Sequence, residues 1–247
     1  MLRPYPRWLK HPMTLRDSFE QHRGRPVAKI DHFFDVYEAH LARFRGCELR
    51  LLEIGVDQGG SLELWQAYFG PGCEVHGVDI NPQVASRAPE GARVHIGPQD
   101  DEVFLAGLVR DHGSFDIVID DGSHLMAHQV ATFNALYPTL SERGIYICED
   151  AFTSYWKEYG GELRGEHTFM EFAKGLVDEL HAFWATDAGA EPTAFTRMTR
   201  GIHFYSGAVV FEREAVREPV YVTRAGQGRT ATSIADLKAA AGRTVGG

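Results

Sequence analysis

The side chains best suited to chemistry gather at the end of one run, Asp116-Ile-Val-Ile-Asp-Asp-Gly-Ser-His124. It opens with β-branched apolar residues, the pattern of a buried strand, and closes with two carboxylates, a glycine, a hydroxyl and an imidazole. Ile145-Tyr-Ile-Cys-Glu-Asp150 repeats the design, an apolar strand followed by paired acids. If both strands belong to one parallel sheet, Asp120, Asp121, Glu149, Asp150 and His124 share a rim. Ligands of such sheets bind at the carboxyl ends of the strands. Carboxylates crowded in one place repel and shift one another's pKa, which a bound cation would relieve. The plainer alternative is helix capping, since Asp121 or Ser123 can cap a helix beginning near Leu125.

The surrounding chain supplies the elements such a rim needs. Ile30, Phe33, Phe34, Tyr37, Leu41 and Phe44 fall at helical spacing, and Gly46 closes that helix. Strands are expected over 49–54, 74–79, 93–96, 116–120 and 144–148, with helices over 61–69, 101–110 and 125–140 between them. The alternation implies an α/β fold, a doubly wound, mainly parallel, Rossmann-like sheet with right-handed crossovers. Aromatics and glycines over 151–165 suggest a lid or pocket wall, where Tyr155, Trp156 and Tyr159 either stack on a ligand or pack the lid. An amphipathic helix runs from about Phe169 to Trp184. Ile202-His-Phe-Tyr205 and Ala208-Val-Val-Phe211 flank Ser206-Gly207, a C-terminal antiparallel hairpin closing one sheet edge, in which His203 reads as structural. Residues 1–29 are expected as an N-terminal arm, 30–221 as a single domain with a helical cover at its start, and 222–247 as a flexible tail. A weak helical stretch lies within that tail near Ile234.

After the first strand the chain reads Glu53-x-Gly55-x-x-x-Gly59-Gly60, without the middle glycine of a dinucleotide fingerprint. Glu53 is a poor neighbour for a pyrophosphate but suits a ligand carrying an ammonium and hydroxyls. Asp79, at the tip of the second strand, is placed to accept hydrogen bonds from ribose hydroxyls. These residues resemble the class I S-adenosylmethionine methyltransferases. The resemblance implies S-adenosyl-L-methionine as cofactor, bound by Glu53, Gly55, Gly59, Ser61 and Asp79, with Gln99 near the adenine. Ser61 also reads as the cap of the next helix, and Asp101 as the cap of the one after the third strand. His32 and Tyr37 are candidates to cover the cofactor.

The resemblance narrows at Asp120-Asp-Gly-Ser-His124 and Glu149-Asp150. There the chain is similar, over roughly residues 30–213, to the metal-dependent sugar O-methyltransferases of macrolide biosynthesis, the mycinamicin and macrocin type. This implies Mg²⁺ bound by Asp121, Glu149 and Asp150, His124 as general base, and Asp120 facing the cofactor. The implied acceptor is a hydroxyl of a sugar or glycosylated natural product. Larger members carry an extra amino-terminal domain that this length is not expected to accommodate, so acceptor identity does not carry over. The chemistry is coherent: an alkyl hydroxyl is a poor nucleophile until a hard cation acidifies it, and a positioned base typically adds ~10²–10⁴-fold. An all-oxygen ligand set suits Mg²⁺ better than Zn²⁺.

Composition bounds the rest. The chain has 247 residues and a formal charge of -9, which argues against nucleic acid or an anionic membrane as the main partner. Arg3, Arg7 and Lys10 are read as part of a solvated arm. Cys47, Cys73 and Cys148 form no CxxC pattern and suit reduced thiols, so a cytoplasmic enzyme, forming a homo-oligomer, is expected. Competing readings are a hydroxylase or nicotinamide-dependent oxidoreductase, an S-adenosylmethionine-binding protein without turnover, and a metal hydrolase. The missing glycine fingerprint weighs against the nicotinamide cofactor, the joint acids and histidine against a silent binder, and Glu53 with Asp79 against the hydrolase.

Overall fold

Continuous runs of β-branched and aliphatic residues produce strands buried on both faces, and amphipathic helices cover them. The computed structural model describes residues 13–186 and 191–244. In chain order, α1 (Leu15–Glu20) and α2 (Phe33–Leu41) lead into β1 (Leu49–Ile54), α3 (Gly60–Phe69), β2 (Cys73–Asp79) and β3 (Arg93–Ile96). Next come α4 (Glu102–His112), β4 (Ile117–Asp120), α5 (Met126–Leu136) and β5 (Ile145–Cys148). After two 3₁₀ turns follow α6 (Phe169–Leu180), α7 (Ala194–Met198), β6 (Thr199–Tyr205) and β7 (Ala208–Arg213). A final unit comprises β8 (Val220–Ala225), β9 (Gly228–Ser233) and α8 (Ile234–Thr244).

Seven strands form one sheet in the order β3-β2-β1-β4-β5-β7-β6. β1 to β5 are parallel, and β7 joins β5 antiparallel as the inner strand of the expected hairpin. Alternate residues serve two cores. Leu51, Ile117, Ile119 and Ile147 pack with Tyr37 of α2 and Trp65 of α3. Leu52, Ile54, Val118 and Tyr146 pack with Leu105 of α4, Phe133 of α5 and Phe169 of α6. Register keeps the strand ends level, with Ile54 opposite Asp120 and Asp120 opposite Cys148. The sheet order reverses between β1 and β4, the switch point where a crevice opens outside the carboxyl ends.

Three expectations need correction. The arm expected to lie over the domain is helical over Leu15–Glu20 rather than irregular. Thr14 caps α1 with a capping box, and Leu15 is fully buried. Glu38 accepts from the Leu15 amide at 3.1 Å and from the Tyr68 hydroxyl at 3.0 Å, tying α1 and α2 to α3. Residues 1–12 lie outside the described residues, Arg3, Arg7 and Lys10 with them. The expected flexible tail from residue 222 instead contains the β8–β9 hairpin and α8, because Val220-Tyr-Val-Thr and Arg229-Thr-Ala-Thr pair across a turn at Gly226, whose φ is 56°. Residues 245–247 of that tail lie outside the described residues. Finally, the helix after β4 stops at Leu136, and a 3₁₀ turn over Tyr137–Thr139 continues it, since Pro138 cannot donate to an α-helical ladder.

Candidate functional site

Two adjoining hollows open at the switch point. The larger, about 430 Å³, runs from Pro26–Lys29 past Gly55, Ser61 and Asp79 to Asp121 and His124. The smaller, about 210 Å³, lies between Ile54, Ile80, Gln99, Ser123 and His128. Gly55, Asp79 and Gly122 border both, so the two form one bent crevice.

The loop after β1 is shaped by steric need. Gly55 has φ 91°, and a Cβ there would sit 2.1 Å from the Asp121 carbonyl oxygen, so only glycine allows the β1 and β4 loops to meet. Gly59, with φ 83°, occupies the N-cap of α3. Ser61 is therefore the second residue of the helix and not its cap, and its hydroxyl donates to Glu53 Oε2 at 2.5 Å. Asp79 organises the loop: its Oδ2 accepts from the Val56 and Asp57 amides at 3.0 and 3.3 Å, and its Oδ1 from the Asn81 amide at 2.8 Å. Oδ2 is thus filled by two donors, and Oδ1 retains accepting capacity.

The acid rim assembles as the two strand-end motifs suggested, with one addition. Lys29, just before α2, is 2% exposed, and its ammonium lies 2.6 Å from Asp121 Oδ2, 2.9 Å from Glu149 Oε2 and 3.4 Å from Glu53 Oε1. Burial opposes its charge, but Glu149, Asp121 and Glu53 outweigh this and hold its pKa above the usual lysine value. Burial raises the pKa of Glu53 and Glu149, Asp121 repels both, and Lys29 offsets part of the rise. Glu149 Oε1 is buried without a hydrogen-bond partner; the Tyr37 hydroxyl influences its charge without full hydrogen-bond geometry. Sequence reasoning missed Lys29. The only signal was a lone lysine inside the apolar run Val27-Ala-Lys-Ile30.

His124 turns toward the crevice from a left-handed backbone, φ 58°, and Asp150 stands in a similar conformation, φ 51°. Strain of this kind collects at functional sites. His124 Nε2 is 3.8 Å from Asp150 Oδ2 and 4.0 Å from Asp121 Oδ1, while its Nδ1 is buried without a partner. Asp121, His124 and Asp150 each offer a ligand atom within 4.8 Å of the others. Glu149 lies outside that group of three; like Asp121 it meets Lys29, and it keeps one orphaned oxygen. Burial, then repulsion from Asp121, raises the Asp150 pKa, and His124 pulls it back. Two carboxylates and a free buried carboxylate oxygen fit a hard divalent cation, with the imidazole beside them.

Asp120 is placed differently from expectation, and Gln99, which borders the smaller hollow as expected, also has a second role. Asp120 is fully buried under the crevice floor, where Tyr146 donates to it at 2.8 Å and Gln99 Nε2 at 3.0 Å. Burial pushes its pKa up to about 7 against those hydrogen bonds. Gln99 reaches the smaller hollow, but its amide also donates to Thr132 at 3.0 Å and accepts from the Ser123 amide at 2.7 Å. Both residues brace the loop that carries Asp121 and His124. His32 and Tyr37 border neither hollow: His32 binds the Ser206 carbonyl at 2.6 Å, and Tyr37 is 1% exposed. Asp101 caps α4 through the Val103 and Phe104 amides. His203 packs on His40 with ring centroids 4.6 Å apart, in a structural setting. Of the lid aromatics, Tyr159 lies edge-on to His124 at 6.1 Å, and Trp156 is half exposed beside it.

Residues 52–151 match a family model described as a methyltransferase domain. The chain has the class I methyltransferase fold. It is 36% identical over 202 residues to the L-olivosyl-oleandolide 3-O-methyltransferase of Streptomyces antibioticus, covering 76% of this chain and 51% of that protein. It is 35% identical over 189 residues to the mycinamicin VI 2''-O-methyltransferase of Micromonospora griseorubida, covering 72% and 47%. Among solved structures, the mycinamycin-pathway methyltransferase MycE, in complex with Mg, SAH and mycinamycin VI, superposes with a TM-score of 0.70 at 32% identity, covering 76% of this chain and 50% of that one. The chain thus spans about half the length of the curated relatives it matches. Among the described residues, no helix is long and apolar enough to cross a membrane.

Proposed function

We propose that this methyltransferase transfers a methyl group from S-adenosyl-L-methionine to a hydroxyl of a sugar or glycosylated natural product, with His124 as general base and Mg²⁺ assistance. The observation that carries this reading is the convergence of Asp121, His124 and Asp150 where the glycine-loop crevice meets the lid aromatics. Relatives named for sugar O-methylation support the acceptor class.

In this reading the Gly55–Gly59 loop receives the methionine portion, with fully buried Glu53 bracing it through Ser61, and Asp79 Oδ1 accepts from a ribose hydroxyl. The smaller hollow, walled by Ile54, Val78 and Ile80, takes the adenine. Asp121, Asp150 and Glu149 would hold the Mg²⁺ found with MycE. When bound, the ion would lower the pKa of an acceptor hydroxyl and fix its position. His124 receives the hydroxyl proton, and the flanking Asp121 and Asp150 stabilise the resulting imidazolium. Trp156 and Tyr159 offer apolar faces on which a sugar ring can stack. The proposed setting is cytoplasmic, with one catalytic domain over residues 30–221 and a homo-oligomeric assembly.

Methyl transfer to a panel of deoxysugar glycosides, followed with and without EDTA, tests the proposal. Activity should vanish on chelation and return with Mg²⁺, and His124→Ala should lower kcat by roughly 10²–10⁴-fold. Turnover unaffected by either change would remove the metal-and-base mechanism, and failure to bind S-adenosylhomocysteine would remove the cofactor assignment.

A further inference from the structure

A second cluster of potential ligands lies away from the acid rim. His76 of β2 and His95 of β3 project from the same sheet face, because His95 pairs with Val78 and His76 shares Val78's alternation. α4 packs over that face through Leu105 and Leu108 and ends at His112. His76 Nδ1 lies 3.0 Å from His95 Nε2. The His112 ring centroid is 4.8 Å from that of His76 and 4.9 Å from that of His95. One ligand nitrogen from each histidine lies within 4.8 Å of the others. His76 is fully buried, and its Nε2 has no hydrogen-bond partner although Glu74 Oε2 stands 3.9 Å away.

We propose that His76, His95 and His112 form a transition-metal site, distinct from the acid rim, that takes a borderline divalent ion of the Zn²⁺ class. Imidazole donors select such ions, whereas Mg²⁺ prefers the carboxylates of the rim. Zinc–nitrogen bonds of about 2.0–2.1 Å place tetrahedral ligand nitrogens roughly 3.3 Å apart, close to the spacing of the His76–His95 pair. Glu74 Oε2, the nearest acid to His76 Nε2 at 3.9 Å, is held by Arg93 at 3.4 Å and Arg50 at 3.5 Å, so the three imidazoles are the ligands proposed. The carboxyl end of α4 turns its negative dipole end toward the cluster. The other histidine group, His40 and His203 with Glu212, is less suited, since both His40 nitrogens already have partners, Glu212 at 3.3 Å and the Tyr205 hydroxyl at 2.9 Å. An ion on the three histidines would pin α4 to β2 and β3, whose following loops carry Asp79 and Gln99. The inference stands independently of the acceptor and of the methyl-transfer mechanism.

The test uses the full chain, stripped with chelator and returned to saturating Mg²⁺ so that the rim is occupied. Calorimetric titration with Zn²⁺, and visible absorption with Co²⁺, should show a single tight equivalent with the intense bands of tetrahedral nitrogen coordination. His112→Gln, at a partly exposed helix end, should weaken binding by ~10-fold or more, as should His95→Gln, while Asp150→Asn leaves it unchanged. Unaltered binding in both histidine variants, loss in Asp150→Asn instead, or no uptake by the parent protein would each overturn the proposal. If His95→Gln does not fold, His112→Gln decides alone.

Discussion

At the scale of single residues, Lys29 changes how the acid rim is understood. A crowd of carboxylates implies a cation, and the protein supplies one itself before any ion binds. Removing one partner of a buried ion pair leaves uncompensated charge and costs about 3–5 kcal/mol. Lys29→Met is expected to destabilise the chain by that amount in urea unfolding without divalent ions, and added Mg²⁺ should restore more stability to the variant than to the parent. Gly55→Ala places a Cβ against the Asp121 carbonyl at a positive φ. It should lose more than about 1 kcal/mol of stability and most of its S-adenosylhomocysteine affinity, measured by calorimetry. Gly175→Ala, where α6 leaves open space, should instead gain about 0.5–1 kcal/mol.

At the scale of elements, the parallel strands were legible almost to the residue, β1 and β3 at both ends. Buried parallel strands read as unbroken apolar runs, so their limits are written in composition. Asp121, Asp150 and His124 stood out as candidates for a related reason, since each lies within about one turn of the end of such a run. Ser61 was misread because capping preferences favour serine, while here a left-handed glycine takes the cap and frees the hydroxyl for Glu53. The burial of Asp120 was hidden because adjacent strand-end acids look alike in sequence, and only Tyr146 and Gln99, from distant elements, distinguish them. The junction of α2 with the β6–β7 hairpin offers a pH test. His40 bonds Tyr205 at 2.9 Å and Glu212 at 3.3 Å, next to His203 and Arg43. Burial, then His203, lowers its pKa below 6.5, with Glu212 opposing. The unfolded chain therefore takes up this proton first, so the contribution is complete above pH 6.5 and declines as pH falls below it. His40→Gln should flatten that part of the stability profile, followed by denaturant midpoints from pH 7.5 to 5.

At the scale of the molecule, the chain divides into a three-layer body and a terminal unit. Every residue of β8 is exposed, and Ile234 of α8 is buried without joining either core of the sheet. A lone two-stranded hairpin is marginal in water. Limited proteolysis should cut first between Arg213 and Val220, and the shortened product should keep S-adenosylhomocysteine binding; loss of binding on cleavage would show that the terminal unit supports the crevice. The tail's order escaped the sequence reading because its small polar residues resemble disorder, although Val220-Tyr-Val-Thr carried a strand signal. Finally, Lys29 lies 92 positions from Asp121 and 120 from Glu149. A ribosome releases the cation long before the acids it will neutralise, so charge balance at the rim arrives only by closing long loops, which folding chains do late. The pairing of β1 with β4 that gathers the acids closes a long loop of its own, so charge balance at the rim is a property of the finished sheet and of no shorter stretch of the chain.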